Sequence, residues 1–287
     1  MDIIYRYDRY AAILPKPIAD ADGAIQALLE GHARYRRIVQ RVEEDLVRDG
    51  EPSEPLVIPS SPLSLNFSAV GAPPQVPFAV ALGCSDARAP IERIFDQPPN
   101  ALFVVRVAGN VLGTECLGSI DYAVHQLKDS LRLLVVLGHS GCGAVTAAVD
   151  SYLSPDDYPE VGFGHSLRSL VDRIQMAVRG AAKALGRAEG GSPKGKPGYR
   201  DALIETAIYL NAALTAFDVR REIEASGAKG VRVVYGVFDI ADQRVHALPH
   251  HCSDTEEPVF GDVPLRSEDF AALGERIVRA VRDRGLL

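Results

Sequence analysis

The chain has 287 residues, of which 47% are hydrophobic and 24% are charged, a composition typical of a globular protein that can bury a sizeable core. Its 31 basic and 38 acidic residues give a net charge of −7 without a clustered basic face, which argues against nucleic-acid binding. We find no continuous apolar stretch of about 18 to 20 residues, so we expect no membrane association. The N-terminus lacks the basic and apolar segments of a secretory signal, and we therefore expect a cytoplasmic protein.

The N-terminal part of the sequence predicts a helix followed by an extended connector. Apolar residues recur at spacings of three and four over residues 20–48, as in an amphipathic helix. Seven prolines between Gly50 and Pro77 exclude a long helix there. We therefore assign residues 1–77 to an N-terminal helical arm and a Pro-rich connector.

The middle of the chain alternates apolar runs with helical patterns. The runs are continuous rather than alternating, which is typical of strands buried on both faces of a parallel sheet. They predict an α/β fold, a mostly parallel β-sheet core flanked by helices. The predicted strands cover 78–83, 101–107, 131–137 and 231–237, and the predicted helices cover 117–127, 144–152 and 203–225.

Three further assignments complete the organisation of the chain. We place the α/β core at residues 78–248 and a C-terminal extension at 249–287, within one domain overall. The extension contains a predicted amphipathic helix over 267–284. Residues 154–164 and 186–198 are rich in Gly, Pro, Asp and Lys, and we predict that both are surface loops.

Two short motifs lie where the predicted strands end. Cys84-Ser85-Asp86-Ala87-Arg88 follows the first core strand, and His139-Ser140-Gly141-Cys142 follows the third. In open α/β sheets, sites form beyond the carboxyl ends of parallel strands. Neighbouring strands would therefore bring Cys84, His139 and Cys142 to one place.

Two thiolates and one imidazole are ligands that suit zinc, with a fourth position left for water in a catalytic site. A catalytic zinc lowers the pKa of its water to about 7 and so supplies hydroxide at neutral pH. Asp86 would orient that hydroxide, and Arg88 would hold Asp86 through a bidentate pair. The alternative is that the cysteines and the histidine are unrelated, and that Asp86 and Arg88 form an exposed ion pair.

These motifs together resemble the β-class carbonic anhydrases. The C-x-D-x-R of residues 84–88 followed by the H-x-x-C of residues 139–142 is similar to the metal motif of that family. The segments 29–35 (LEGHARY), 103–110 (FVVRVAGN) and 137–143 (LGHSGCG) also look like family segments. The resemblance covers about residues 20–248, including a long late helix with Asn211 and a last core strand after Val231.

The resemblance implies an enzyme, a lyase that hydrates carbon dioxide reversibly to bicarbonate and a proton by means of zinc-bound hydroxide. It implies one Zn²⁺ per chain, held by Cys84, His139 and Cys142. It also implies that Asp86 and Arg88 form a catalytic dyad. The partners implied are the small-molecule substrate and further copies of the chain, as a homodimer or a dimer of dimers, with the N-terminal helix lying over the partner.

Four more positions match substrate-binding residues of the family. Gln75 stands where the family has a glutamine that donates a hydrogen bond to substrate, and Gly143 places its backbone beside the metal. Phe103 and Tyr122 match pocket positions that are often supplied across a subunit interface. Either aromatic residue would serve equally well as ordinary core, and Gln75 as an exposed loop residue.

The sequence also departs from the family pattern. Val107 and His32 replace asparagines, so some hydrogen bonds around the site are expected to differ. Cys116, Cys252 and the pair His250–His251 match no family ligand, and we do not expect the adjacent residues 250–252 to hold a second metal. A bicarbonate-regulated subset of the family has a tryptophan at the position of Ala81, and this chain has no Trp at all. We therefore expect Asp86 to stay paired with Arg88 rather than to bind the metal.

The sequence leaves two alternative functions open. Relatives of the same fold hydrolyse carbon disulfide or carbonyl sulfide with the same ligand set. A non-catalytic zinc-binding relative is the second rival, although a closed structural site would have no need of Asp86, Arg88 and Gln75.

Overall fold

The core of the protein is a six-stranded, mostly parallel sheet with helices on both faces. The structure, a computed structural model, describes residues 2–8, 10, 17–50, 53–60, 71–157, 164–191, 193–249 and 258–286. The core strands are β3 (Ala79–Gly83), β4 (Leu102–Arg106), β5 (Leu133–His139), β6 (Arg232–Asp239), β7 (Arg244–His246) and β8 (Gly261–Asp262).

The strand order is β4-β3-β5-β6-β7, and β8 also pairs with β6. The strands β4, β3, β5 and β6 are mutually parallel, whereas β7 and β8 run antiparallel to β6. The predicted α/β fold class is therefore confirmed. A separate two-stranded parallel sheet joins β1 (Ile3–Tyr7) to β2 (Leu56–Ser60), a pairing that we did not predict.

Seven α-helices lie in the described part of the chain. They are α1 (Ala21–Leu46), α2 (Ile91–Ile94), α3 (Thr114–Gln126), α4 (Gly143–Leu153), α5 (His165–Ala188), α6 (Tyr199–Ala225) and α7 (Ser267–Asp283). The helices α1 and α2 pack on one face of the sheet, and α3 to α7 cover the other. The predicted N-terminal and C-terminal helices are both present.

Burial on both faces explains why the core strands have continuous apolar sequences. In β3, Val80 and Leu82 contact the cluster formed with α3 to α7, while Ala79 and Ala81 contact the cluster formed with α1 and α2. All four are at most 2% exposed. The side chains of a strand point alternately to the two faces of the sheet. A strand that is buried on both faces therefore has no exposed position for a polar residue.

The helix α6 lies in the centre of the helical layer. It is long and apolar enough to cross a membrane by length and composition, but 78% of its apolar window is buried inside the protein. A helix that is apolar on all sides is expected in a core of this size. We therefore interpret α6 as a core helix that supports the sheet.

The loop predictions were partly wrong. Residues 186–188 belong to the last turn of α5 rather than to a loop, because α5 continues its buried stripe through Ala181, Ala184 and Leu185. In the other predicted loop, Pro155–Asp157 form a single 3-10 turn, and residues 158–163 lie outside the described residues. The whole of α5 was missing from our predictions.

Candidate metal centre

Three predicted ligands meet at the carboxyl edge of the sheet. The neighbouring strands β3 and β5 run parallel with Gly83 opposite Leu137, so that Cys84 and His139 emerge side by side. Cys142 follows three residues later, at the start of α4. The ligand atoms of Cys84, His139 and Cys142 all lie within 4.8 Å of one another, and the three residues are 6%, 0% and 1% exposed. The predicted convergence of these residues is confirmed.

The histidine of the cluster has a defined tautomer and a spare lone pair. His139 Nδ1 lies 2.9 Å from the carbonyl oxygen of Ser140, and a carbonyl only accepts, so the proton resides on Nδ1. Nε2 is buried and has no hydrogen-bond partner among the described residues. A tetrahedral zinc shell places its ligand atoms about 3.7 Å apart. The spacing, the donor types and the unpaired Nε2 therefore fit a zinc ion.

The two thiols differ in their protonation because they face each other. A hydrogen bond from Cys142 lowers the pKa of Cys84 against the effect of burial, helped by His139 and by the backbone N–H of Gly109, 3.4 Å from the sulfur. The same contact raises the pKa of Cys142, and burial raises it further. Burial lowers the pKa of His139, but the Cys84 thiolate outweighs this effect and raises it. The contact between the two sulfurs therefore favours the thiolate form at Cys84, and a thiolate is the form of cysteine that binds a metal ion.

The start of α4 opposes the rise in the pKa of Cys142, because hydrogen bonds from the backbone N–H groups of Val145 and Ala144 lower that pKa. Cys142 is the N-cap residue of this helix, with the backbone in an extended conformation. The positive end of the helix dipole favours an anionic sulfur at that position. The next residue, Gly143, borders open space, since a Cβ added there would meet nothing within 4 Å. The role of Gly143 at the metal stays a prediction, and its place in the chain directly after Cys142 is compatible with it.

Asp86 and Arg88 form a bidentate pair next to the three ligands. Asp86 Oδ1 accepts from the backbone N–H and the Nε of Arg88 at 2.8 and 3.0 Å, and Oδ2 accepts from Nη2 at 2.7 Å. The Arg88 hydrogen bond holds the pKa of Asp86 well below its usual range. Asp86 Oδ2 is 3.9 Å from His139 Nε2. A permanently ionised carboxylate therefore stands at the edge of the ligand cluster.

Two arginines support the loop that carries Cys84 and Asp86. Arg106, at the end of β4, donates to the carbonyl oxygens of Cys84, Asp86 and Ala89, at 2.9, 2.5 and 3.2 Å. Arg88 Nη2 reaches the carbonyl oxygen of Gly141 at 3.3 Å and so links the two ligand loops. Our sequence reasoning noted Arg106 within a family-like segment but missed this role, since contacts to backbone carbonyls leave no sequence pattern.

Gln75 lies at the other end of the sheet. The flanking residues are anchored by Asn100, whose side chain binds the N–H of Val76 and the carbonyl of Pro74 at 3.1 and 2.8 Å. These contacts precede β3 and β4, whereas Cys84 follows β3. Five strand residues at about 3.3 Å each separate the two edges by roughly 16 Å. Gln75 is exposed at that end of the sheet. Within a single chain it therefore lies away from the ligand cluster.

Phe103 and Tyr122 contact each other rather than the ligand cluster. Their ring centroids are 6.1 Å apart, and Tyr122 is 50% exposed. Phe103 stands opposite Val80, near the amino end of the sheet, three residues before the Gly83–Arg106 pair. Phe103 thus packs against the core as a partly buried residue, whereas Tyr122 is exposed, and neither belongs to the group of clustered ligands.

The residues that depart from the family pattern have structural roles. His32 is 6% exposed, donates from Nδ1 to the carbonyl oxygen of Ile94 at 3.0 Å, and accepts at Nε2 from the N–H of Val245 at 3.2 Å. Val107 packs against the core, and Cys116 is buried in α3. Residues 250–252, the histidine pair and Cys252, lie outside the described residues.

Comparison with known proteins agrees with this geometry. The family model described as carbonic anhydrase matches residues 79–245. A carbonic anhydrase of Mycolicibacterium smegmatis is 37% identical over 178 residues, which cover 61% of this chain and 77% of that protein. Carbonic anhydrase 2 of Mycobacterium tuberculosis is 36% identical over 185 residues, which cover 64% and 80%.

Among solved structures, a β-carbonic anhydrase of Coccomyxa in complex with acetazolamide is 22% identical, with a TM-score of 0.46 over 62% of this chain and 73% of that one. The match of the family model spans more than half of the chain and contains all three clustered ligands together with Asp86 and Arg88. The chain belongs to the β-class carbonic anhydrase family.

Proposed function

We propose that this chain catalyses the reversible hydration of carbon dioxide to bicarbonate and a proton, using one zinc ion held by Cys84, His139 and Cys142. One observation carries the proposal: the buried ligand cluster has an ionised carboxylate at its edge, 3.9 Å from the unpaired Nε2 of His139. A purely structural zinc site is closed by four protein ligands. Here three ligands and an acceptor already paired with Arg88 leave a position for water.

The residues around the cluster have distinct parts in the proposed reaction. When bound, zinc acts as a Lewis acid that lowers the pKa of a coordinated water to about 7. Asp86 is ionised at neutral pH and can only accept hydrogen bonds, so it orients the O–H of the attacking oxygen and directs a lone pair toward carbon dioxide. Arg88 holds both oxygens of Asp86 in place, which keeps the carboxylate out of the metal shell.

The three candidate ligands meet within one chain, but three of the four predicted substrate residues are not near them. Gln75 and the Phe103–Tyr122 pair lie toward the amino end of the sheet. We propose that a second copy of the chain brings these residues to the metal cluster, in a homodimer or a dimer of dimers. The exposure of Tyr122 and Gln75 supports this arrangement, because both side chains are available for contact with a partner.

The test is a stopped-flow measurement of carbon dioxide hydration on purified protein of known zinc content. We expect about one zinc per chain, activity that disappears when the metal is removed, and recovery when zinc is returned. Carbon disulfide and carbonyl sulfide should be assayed in parallel. Fully zinc-loaded protein that hydrolyses either sulfur compound but does not hydrate carbon dioxide would overturn the proposed substrate.

A further inference from the structure

One arginine of the C-terminal extension pairs with two carboxyl groups in the interior of the protein. Arg284 directly follows α7 and lies beyond the residues that the family model matches. Its Nη1 donates to Glu205 Oε1 at 2.8 Å, and its Nη2 donates to Asp239 Oδ2 at 3.3 Å. The side chains of Arg284, Glu205 and Asp239 are 27%, 13% and 7% exposed. Arg284 is therefore a cation between two buried carboxyl groups, one on α6 and one at the end of β6.

Asp239 connects this arginine to the loop that holds the metal ligands. The second carboxylate oxygen, Oδ1, accepts from Ser140 Oγ at 3.0 Å and from the N–H of Ala241 at 2.9 Å. Ser140 Oγ in turn accepts from the N–H of Ile240 at 2.9 Å. The carbonyl oxygen of Ser140 is the acceptor for His139 Nδ1. A continuous set of contacts thus runs from α7 to the imidazole ligand.

Arg284 supplies the positive charge that balances the carboxyl groups of Glu205 and Asp239. A buried carboxylate is costly unless its oxygens are paired. Burial raises the pKa of Glu205, and the charge of Arg284 opposes that effect. Without the guanidinium, Asp239 would lose the cation at Oδ2 while a second carboxyl group remains close by. Asp239 would then be expected to rotate or to admit water, and Ser140 would lose its fixed acceptor.

We propose that Arg284 is a positioning residue for the metal centre, acting through Asp239 and Ser140 on the orientation of His139. The proposal rests on the proposed zinc-dependent function. It makes the C-terminal helix part of the support of the site rather than an independent appendage. Hydrogen-bond partners behind a ligating histidine fix its orientation, and their loss typically weakens metal binding about 10- to 100-fold.

The test compares Arg284→Met with Arg282→Met. Arg282 lies on the last turn of the same helix but pairs with Glu189 and the carbonyl of Ala188, away from Asp239. Both variants lose one positive charge at the end of α7, so they are matched in charge and in position. Zinc affinity is measured by competition with a chelator, and the visible spectrum of the cobalt-substituted protein reports the geometry of the ligands.

We expect Arg284→Met to weaken zinc binding about 10-fold or more and to shift the cobalt spectrum, and Arg282→Met to change neither. Arg284→Lys should recover part of the affinity, because it restores the charge without the two-pronged geometry. An Arg284→Met protein with lower thermal stability but unchanged zinc affinity and cobalt spectrum would overturn the proposal and assign Arg284 to folding alone.

A second variant covers the case in which Arg284→Met does not fold. Ser140→Ala removes the hydroxyl that joins Asp239 to the ligand loop while leaving Arg284 and α7 in place. The same loss of zinc affinity is expected, and an unchanged affinity would overturn the proposal. If the unmodified protein binds no zinc or does not hydrate carbon dioxide, the proposed function itself fails, whatever the variants do.

Discussion

The two groups of predicted site residues behave differently in the fold. Cys84, His139 and Cys142 follow neighbouring parallel strands and converge within 4.8 Å. Gln75 and the Phe103–Tyr122 pair, which the family resemblance assigns to the substrate pocket, lie toward the opposite end of the same sheet. The first group is assembled by the topology of one chain, because the carboxyl ends of parallel strands share an edge. The second group would reach a metal cluster only in the proposed assembly with a second copy of the chain.

This contrast separates metal binding from substrate binding. One hydrogen-bonded unit within the chain contains the metal cluster and the neighbouring acceptor Asp86. Arg88 and Arg106 hold this unit in place. Changes in that unit should act on every copy independently. Changes in Gln75, Phe103 or Tyr122 should act on the site of a neighbouring copy. Four predictions test the contrast, beginning with the largest expected effect.

Replacing Cys142 with serine should abolish both zinc binding and activity. An alcohol is a far poorer zinc ligand than a thiolate, and Cys142 is one of the three clustered candidate ligands. Elemental analysis should show zinc falling from about one equivalent to well under half. Cys116→Ser is the matched control, because Cys116 is a buried cysteine of α3 outside the cluster and should keep its zinc. A Cys142→Ser protein with a full equivalent of zinc would remove Cys142 from the ligand set.

Replacing Asp86 with alanine should leave zinc in place and lower kcat about 10²- to 10⁴-fold. The physical reason is the loss of the acceptor that orients the attacking oxygen, while the three ligands are unchanged. Stopped-flow hydration rates and zinc content are measured together. Asp150→Ala is the control, since Asp150 forms a similar bidentate pair with Arg200 on the surface. Hydration rates close to those of the unmodified protein would show that Asp86 is an ordinary surface charge.

Mixing an impaired subunit with an inactive one should test whether the pocket is shared. Gln75→Ala should lower activity about 10-fold through the loss of one hydrogen bond to substrate. In a dimer of Gln75→Ala with Cys142→Ser subunits, one site combines an intact metal cluster with an intact Gln75. Random mixing should therefore give about one quarter of the unmodified activity. A value near one twentieth, the sum of the separate subunits, would show that Gln75 acts within its own chain. Full activity of the Gln75→Ala protein by itself would show that Gln75 has no role.

The smallest expected effect concerns His32, which joins α1 to the core. Burial lowers the pKa of His32 below its ordinary value of 6.5, so the unfolded chain takes up a proton more readily than the folded protein. The free energy of unfolding should therefore fall as the pH drops below about 6.5. His32→Asn should cost about 1 kcal/mol at neutral pH and flatten this dependence. Urea denaturation at several pH values provides the measurement, with exposed His125→Asn as the control. An unchanged slope would assign the acid sensitivity to other groups.

Much of the core could be predicted because its signals are local. The strands β3 to β6 are continuous apolar runs, and β3 and β5 end at chemically distinctive residues, Cys84 and His139. The helix α1 begins at the capping residue Asp20, whose side chain accepts from the N–H of Gly23 at 2.8 Å. Such features depend on neighbours within a few residues, and sequence patterns record them.

Other elements escaped prediction because their stability comes from distant contacts. The strand β1 pairs with β2 across about fifty residues, with Ile3 opposite Leu56, and its own five residues are all exposed. The helix α5 is a different case, because Val171, Ile174, Val178 and Leu185 form a buried apolar stripe at helical spacing that our sequence analysis overlooked. The pairing of β1 with β2, in contrast, is not visible until the partner strand is known.

The amino-acid sequence alone indicated the family and predicted the ligand triad and the Asp86–Arg88 pair, because each is written as a short motif at a strand end. The tertiary structure decided three things that no motif contains. It placed Gln75 and the Phe103–Tyr122 pair away from the metal cluster, it anchored the Cys84 loop through Arg106, and it brought Arg284 to Asp239 from the far end of the chain. The reason is physical: buried charges and backbone carbonyls are satisfied by whichever partner the fold brings near, and sequence spacing does not specify that partner.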